Sequence, residues 1–205
     1  MSLTAIIDYG VGNLFSLTSS LKAIGSDAVV TNDINEIKKA DRIILPGVGA
    51  FEDAVKKLYS TGLVEPLMEE ISNGKPLLGI CLGMQLLFER SFEYGEHKGL
   101  GLIPGEVVPL EGAIDKSLKV PHLGWNKLIK TKTDEPLLKE LADDAYVYYV
   151  HSFYAKTDPE YITGVSEYGI SVTGSVRNKN VMGTQFHPEK SGRAGLLILK
   201  AFCEL

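Results

Sequence analysis

Apolar positions in the first half of the chain fall into short unbroken runs, separated by stretches with a helical period. Leu3 to Ile7 reads as a strand and Leu14 to Ile24 as a helix that stops at Gly25. Ala28 to Thr31 predicts a second strand, Ile34 to Ala40 a short helix, and Arg42 to Leu45 a third strand ending at Pro46-Gly47. Helices are predicted over Phe51 to Tyr59 and Val64 to Ser72. Pro76 to Ile80 is a fourth apolar strand that runs at once into a helical pattern from Leu82 to Arg90. Strands apolar on both faces and alternating with helices imply a parallel sheet covered on both sides.

From Gly99 the texture changes, because strand-like segments follow one another with one helix, Pro136 to Ala142, between them. The segments are Gly105 to Leu110, Trp125 to Lys130, Tyr146 to Ala155, Tyr161 to Glu167, Ser171 to Arg177 and Val181 to Phe186, and a last apolar helix covers Ala194 to Phe202. The expected fold is therefore α/β: a mostly parallel central sheet with helices on both faces and added antiparallel strands in the second half. No internal repeat or Pro/Ser-rich linker interrupts the pattern, so residues 1–205 are expected to form one domain.

Composition narrows the function. Hydrophobic residues make up 44% and charged residues 23%, which excludes a largely disordered or fibrous chain. The formal charge is −5 and no basic block occurs, so a nucleic-acid partner is not expected. The two cysteines, Cys81 and Cys203, both lie in apolar runs, which argues for a reducing compartment and a cytoplasmic location. The N-terminus has no basic start and is broken by Asp8 and Gly10, so neither a signal peptide nor a membrane span is expected there.

Three segments carry candidate chemistry. In Gly79-Ile-Cys81-Leu-Gly83 a strand turns sharply into a helix with a cysteine at the corner, the layout of a nucleophile elbow. Glycines on either side relieve clashes in so tight a turn, and a helix N-terminus favours a thiolate. A small buried apolar cysteine is the other reading. His187 closes an apolar strand and is followed by Pro188-Glu189, so a carboxylate two residues on could orient an imidazole base. A solvent-facing histidine at a strand end remains the alternative. In Leu45-Pro-Gly47-Val48-Gly49-Ala-Phe51, glycines after a strand could aim the Val48 N–H at an oxyanion, with the Leu82 N–H as second donor. Gly47 would make rotation of the peptide before Val48 inexpensive, although an ordinary strand-to-helix turn fits the segment too. Tyr9-Gly-Val-Gly-Asn13 lacks the third glycine of a dinucleotide fingerprint, and cysteines and histidines are too scattered for a metal site.

With Gly-Ile-Cys81-Leu-Gly-Met-Gln85, Pro-Gly-Val-Gly49 and Phe-His187-Pro-Glu189 in this order, the chain resembles the class I, triad-type glutamine amidotransferases over almost its whole length. Ile6-Ile-Asp-Tyr-Gly-Val-Gly-Asn13, Pro121-His-Leu-Gly-Trp-Asn126, Tyr149-Val-His-Ser152 and His187-Pro-Glu-Lys-Ser191 are similar to the branch that supplies ammonia for imidazole glycerol phosphate synthesis. The resemblance implies that Cys81 attacks the side-chain amide of glutamine, that His187 relays protons and that Glu189 orients it. It implies Gly47, Val48 and Leu82 at the oxyanion, Gly49, Gln85 and Glu93 at the bound glutamine, and neither metal nor organic cofactor. It further implies a heterodimer with the cyclase subunit HisF, a (β/α)8 barrel, met by Asn13, Trp125, Tyr149 and Lys190. The barrel would use the ammonia to convert the ribotide PRFAR into imidazole glycerol phosphate and the aminoimidazole carboxamide ribotide of purine synthesis. A glutaminase feeding pyridoxal phosphate synthase, a subunit that has lost catalysis, and a solitary thiol hydrolase are the competing readings. Trp125 and Lys190 speak against the first, and the intact Cys81, His187 and Glu189 against the second.

Overall fold

A computed structural model describes residues 2–205. In chain order its elements are β1 (Leu3–Ile7), α1 (Leu14–Ala23), β2 (Asp27–Thr31), α2 (Ile34–Lys39), β3 (Arg42–Leu45), α3 (Phe51–Ser60), α4 (Val64–Ser72), β4 (Leu77–Ile80) and α5 (Leu82–Gln85). There follow β5 (Phe88–Ser91), β6 (His97–Lys98), β7 (Ile103–Pro109), β8 (His122–Lys127), β9 (Ile129–Lys130), β10 (Tyr146–His151), β11 (Phe153–Lys156), β12 (Ile162–Glu167), β13 (Ser171–Asn178), β14 (Val181–Thr184) and α6 (Gly192–Cys203).

The main sheet has eight strands in the order β2-β1-β3-β4-β14-β13-β12-β9. The first five are parallel, and β13, β12 and β9 continue it antiparallel. Alternation of side chains along each parallel strand divides the core in two. Ala5, Ile7, Ile43, Leu45 and Leu77 face one way and pack on Ile37 of α2, Phe51, Val55 and Leu58 of α3, and Leu67 and Ile71 of α4. Ile6, Ile44, Leu78 and Ile80 face the other way, onto Leu17 and Leu21 of α1 and Ile198, Leu199 and Phe202 of α6. Both strand faces are therefore covered, which is why these segments read as continuous apolar runs.

Three expectations are corrected. The helix expected from Leu82 to Arg90 is a single turn, α5, after which Phe88–Ser91 is strand β5. Leu86, Leu87 and Phe88 are buried all round, so their apolar run suits either state, and pairing decides: the Leu102 and Ile103 N–H groups both donate to the Leu87 carbonyl. The helix expected over Pro136–Ala142 is a 3-10 turn at Pro136–Leu138, capped by Glu135, with further i to i+3 bonds at Leu141 and Ala145. The strand expected over Tyr146–Ala155 bends at Ser152. Its halves join different sheets, β10 pairing with β8 in a two-stranded ribbon and β11 with β7 in a four-stranded sheet ordered β11-β7-β5-β6. That bend brings the backbone of residues 150–153 to the carboxyl ends of β4 and β14. Among the described residues no helix is long and apolar enough to cross a membrane.

Candidate active site

Cys81 sits between β4 and α5 with φ 55° and ψ −111°, a conformation strained for any residue with a side chain. One hydrogen bond and close backbone packing hold it there. Its N–H donates to the Thr184 carbonyl at 2.7 Å, which ties the corner to the end of β14. A Cβ at Gly79 would meet the Gly83 carbonyl oxygen at 2.7 Å, and one at Gly83 would collide with the Leu45 carbonyl. The flanking glycines are thus required because two backbones cross with no room for side chains.

Beyond β14 the chain delivers His187 and Glu189, both with buried side chains. His187 Nδ1 lies 2.8 Å from Glu189 Oε1, and the Cys81 side chain is close enough to act on the charge of the imidazole. Burial works against a charged imidazole here, but the Cys81 sulfur and the Glu189 carboxylate outweigh it and raise His187 to about 9. The structure therefore lines up sulfur, imidazole and carboxylate at the carboxyl ends of two adjacent parallel strands, where open α/β sheets place their sites. The His187 segment is fastened to the ribbon as well: the His187 N–H donates to the Tyr148 carbonyl at 3.0 Å, and the Tyr148 N–H to Ser191 Oγ at 2.9 Å.

A cavity of about 290 Å³ opens beside the sulfur, and Val48, Gly49, Leu82, Gln85 and Glu93 all line it, with the backbone of Val150–Phe153 as the far wall. Glu93 Oε2 accepts the Phe51 N–H at the start of α3 at 2.6 Å, and burial raises its carboxyl above the usual range. Gly47 lies beneath the cavity. A Cβ there would come within 2.5 Å of the Gly83 nitrogen, so glycine is required at 47 by close packing on the elbow. The Tyr9 hydroxyl donates to the Pro46 carbonyl at 2.7 Å and braces the same turn from β1. Gly12 packs on the Pro46 side chain, so the N-terminal glycine segment supports the turn. A larger and more open cavity of about 640 Å³, lined by Arg90, Glu106, Lys156 and Asp158 among others, contains none of Cys81, His187 and Glu189, so size does not single out the elbow.

His151 also faces the cavity but is committed elsewhere. Its Nδ1 lies 2.8 Å from the Phe153 carbonyl and its Nε2 3.0 Å from His122 Nδ1. Burial lowers it to about 3 and lowers His122, stacked between Tyr149 and Tyr168, to about 4. Both are neutral hydrogen-bonding groups, unsuited to serve as the base. The aromatic run around them was visible in the sequence, but their pairing across β8 and β10 was not.

The four residues expected at a partner surface separate. Trp125 is 55% exposed and lies against Gly192, and Lys190 is exposed beside it in sequence to Glu189. Asn13 is half-buried and caps α1 through Ser16. Tyr149 is a correction: it has no exposed surface, because the alternation of β10 points it inward, where its hydroxyl bonds Ser166. Among the described residues no group of His, Cys, Asp or Glu is placed to hold a metal ion.

The family described as glutamine amidotransferase class-I matches residues 5–204. A Bacillus cereus protein named imidazole glycerol phosphate synthase subunit HisH is 53% identical over 200 residues, covering 98% of this chain and 93% of the relative. The HisH subunit of Carboxydothermus hydrogenoformans is 48% identical over 203 residues, covering 99% and 100%. Among solved structures, PurLQS from Thermotoga maritima superposes with a TM-score of 0.77 at 18% identity over 99% of this chain and 98% of that one. A further structure described as a glutamine amidotransferase gives 0.74 at 17% identity over 97% and 98%.

Proposed function

The chain belongs to the class I glutamine amidotransferases, in the branch of the glutaminase subunits of imidazole glycerol phosphate synthase, and from that premise we propose how its residues take ammonia from glutamine. Cys81 Sγ adds to the side-chain amide carbon of glutamine in the cavity. The negative oxygen of the tetrahedral intermediate takes hydrogen bonds from the Leu82 and Val48 N–H groups. The His187 imidazolium protonates the departing nitrogen, ammonia leaves, and a γ-glutamyl thioester remains on Cys81. Neutral His187 then removes a proton from water, the hydroxide adds to the thioester, and glutamate departs as the sulfur is released. Glu189 keeps the imidazole in the required orientation throughout, Glu93 meets the substrate ammonium, and Gly49 and Gln85 line the cavity around it.

The observation that carries this reading is the buried alignment of Cys81, His187 and Glu189 beside a cavity of about 290 Å³. Residues 1–205 act in it as one amidotransferase domain. The partner is the cyclase subunit HisF, a (β/α)8 barrel, which receives the ammonia. It docks on the ribbon side, where Leu123, Trp125 and Tyr146 are more than half exposed and Lys190 adds a cation.

The test is ammonia release from glutamine by the free chain and by its complex with HisF, for wild type and Cys81→Ala. Wild type in the complex should turn over glutamine, and Cys81→Ala should lose four orders of magnitude or more, in the range of a lost nucleophile. The Cys81→Ala complex should still make imidazole glycerol phosphate from added ammonium. Glutamine turnover by Cys81→Ala at the wild-type rate would refute the assignment.

A further inference from the structure

The geometry points to Gln185 as a further catalytic residue, an amide that donates to the Cys81 sulfur and is aimed there by Gln85. Gln185 lies between β14 and His187, is completely buried, and anchors its own N–H on the Gly174 carbonyl at 2.8 Å. Its Nε2 is 3.7 Å from Cys81 Sγ. The orientation of that amide is dictated from one end. The Phe153 carbonyl can only accept, so the Gln85 atom 3.0 Å from it is Nε2. The second hydrogen of this nitrogen points to Gln185 at 3.0 Å, which must therefore present its oxygen there. What remains at the other end of Gln185 is the NH2 group, and it faces the sulfur.

The chemistry follows from the partner set of the sulfur. Burying an amide with no partner is costly, and one end of Gln185 finds its partner only in Cys81. The Gln185 amide at 3.7 Å and the Val150 carbonyl at 4.0 Å hold the Cys81 sulfur from two directions before glutamine arrives. Negative charge rests on sulfur before it attacks and returns to it when the thioester is hydrolysed and sulfur departs. The Gln185 N–H stabilises both. An amide does this without competing for the proton, since it neither gains nor loses one near neutral pH. Gln85 acts on the sulfur through Gln185, which makes it a positioning residue in addition to its place on the cavity wall.

This inference rests on the reading of Cys81 as the nucleophile. It is tested in the complex with HisF by the pH dependence of glutaminase kcat and KM for wild type, Gln185→Leu and Gln185→Glu, with ammonium-driven synthesis as control. Gln185→Leu should lower kcat by roughly tenfold to a hundredfold, the range for one donor to a charged group, with KM within about twofold. The acid limb of kcat/KM should move to higher pH, although the titratable groups around the sulfur and cavity (Tyr9, Glu93, His151, His187 and Glu189) are unchanged. Gln185→Glu, of the same size, should lose at least as much, and it keeps the test intact if the leucine variant fails to fold. Ammonium-driven synthesis should match wild type. A Gln185→Leu enzyme with wild-type kcat and acid limb would overturn the inference alone, as would a loss of kcat with the acid limb unmoved in both variants. A wild type that releases no ammonia would overturn the underlying reading and this one with it.

Discussion

The elbow around Cys81 and the ribbon of β8 and β10 both hold the segment that carries His187, yet they are built to opposite rules. At the elbow the side chains of Cys81, His187 and Glu189 are buried, and their neighbours are hydrogen-bonded or wedged against backbone, as at Gly79 and Gly83. The ribbon turns Leu123, Trp125 and Tyr146 outward and keeps Val147, Tyr149 and His151 inward. The two meet at Tyr148, whose carbonyl accepts the His187 N–H. The contrast teaches where each kind of failure should arise: in the elbow, a lost reaction; in the ribbon, lost stability or lost docking.

The sharpest test of the buried side compares two substitutions two residues apart. His187→Ala should reduce glutaminase kcat by three orders of magnitude or more, because the proton relay disappears. Glu189→Gln keeps a neutral partner for Nδ1 and should cost roughly ten- to a hundredfold less than His187→Ala. Equal loss from both, measured as initial ammonia release in the complex, would mean that orientation and proton transfer are inseparable at this site.

Histidines on the two sides should titrate in opposite directions. His122 and His151, held neutral at about 4 and about 3, bind fewer protons folded than unfolded below the ordinary value of 6.5. Their stabilisation is complete above pH 6.5 and is lost as pH falls toward 4, with a slope of up to about 1.4 kcal/mol per pH unit for each. His187, raised to about 9, contributes stability that is complete below pH 6.5 and is lost as pH rises through 9. Denaturant unfolding from pH 4 to 9.5 should show both arms. His151→Gln should flatten the acid arm alone and His187→Gln the alkaline arm alone; a variant that flattens the other arm would break the comparison.

The smallest effect belongs to the outer face of the ribbon. Trp125→Ala and Lys190→Ala should each weaken binding of HisF by roughly tenfold in titration calorimetry, with kcat at saturating HisF within about twofold of wild type. A tenfold loss of kcat at saturation would show that these residues couple docking to the chemistry.

The parallel half was legible because burial on both faces leaves unbroken apolar runs, as in Arg42–Leu45 and Leu77–Ile80, and those runs match the observed strands closely. The segment Leu86–Phe88 was not, since a run of three buried apolar residues has no period, and only its pairing with β7 made the following residues a strand. In the site, Cys81, His187 and Glu189 were visible because each lies where a strand ends and the chain must turn. Gln185 was overlooked although it adjoins His187, because nothing local shows an amide whose partners are 100 and 104 residues away.

What the sequence determined by itself were the features carried by near neighbours along the chain: the strand-and-helix alternation, the glycines that permit the corner at Cys81, and the histidine followed two residues on by a carboxylate. What only the tertiary structure decided were contacts between residues far apart in the chain. The bend at Ser152 makes one apolar run serve two sheets, and Tyr149 turns into the core. His151 is locked against His122, and the amide of Gln185 is aimed at sulfur. Local propensity is summed over a few residues and survives in any short window, whereas strand partners, the inward face and the orientation of a buried amide depend on which distant backbone arrives beside it.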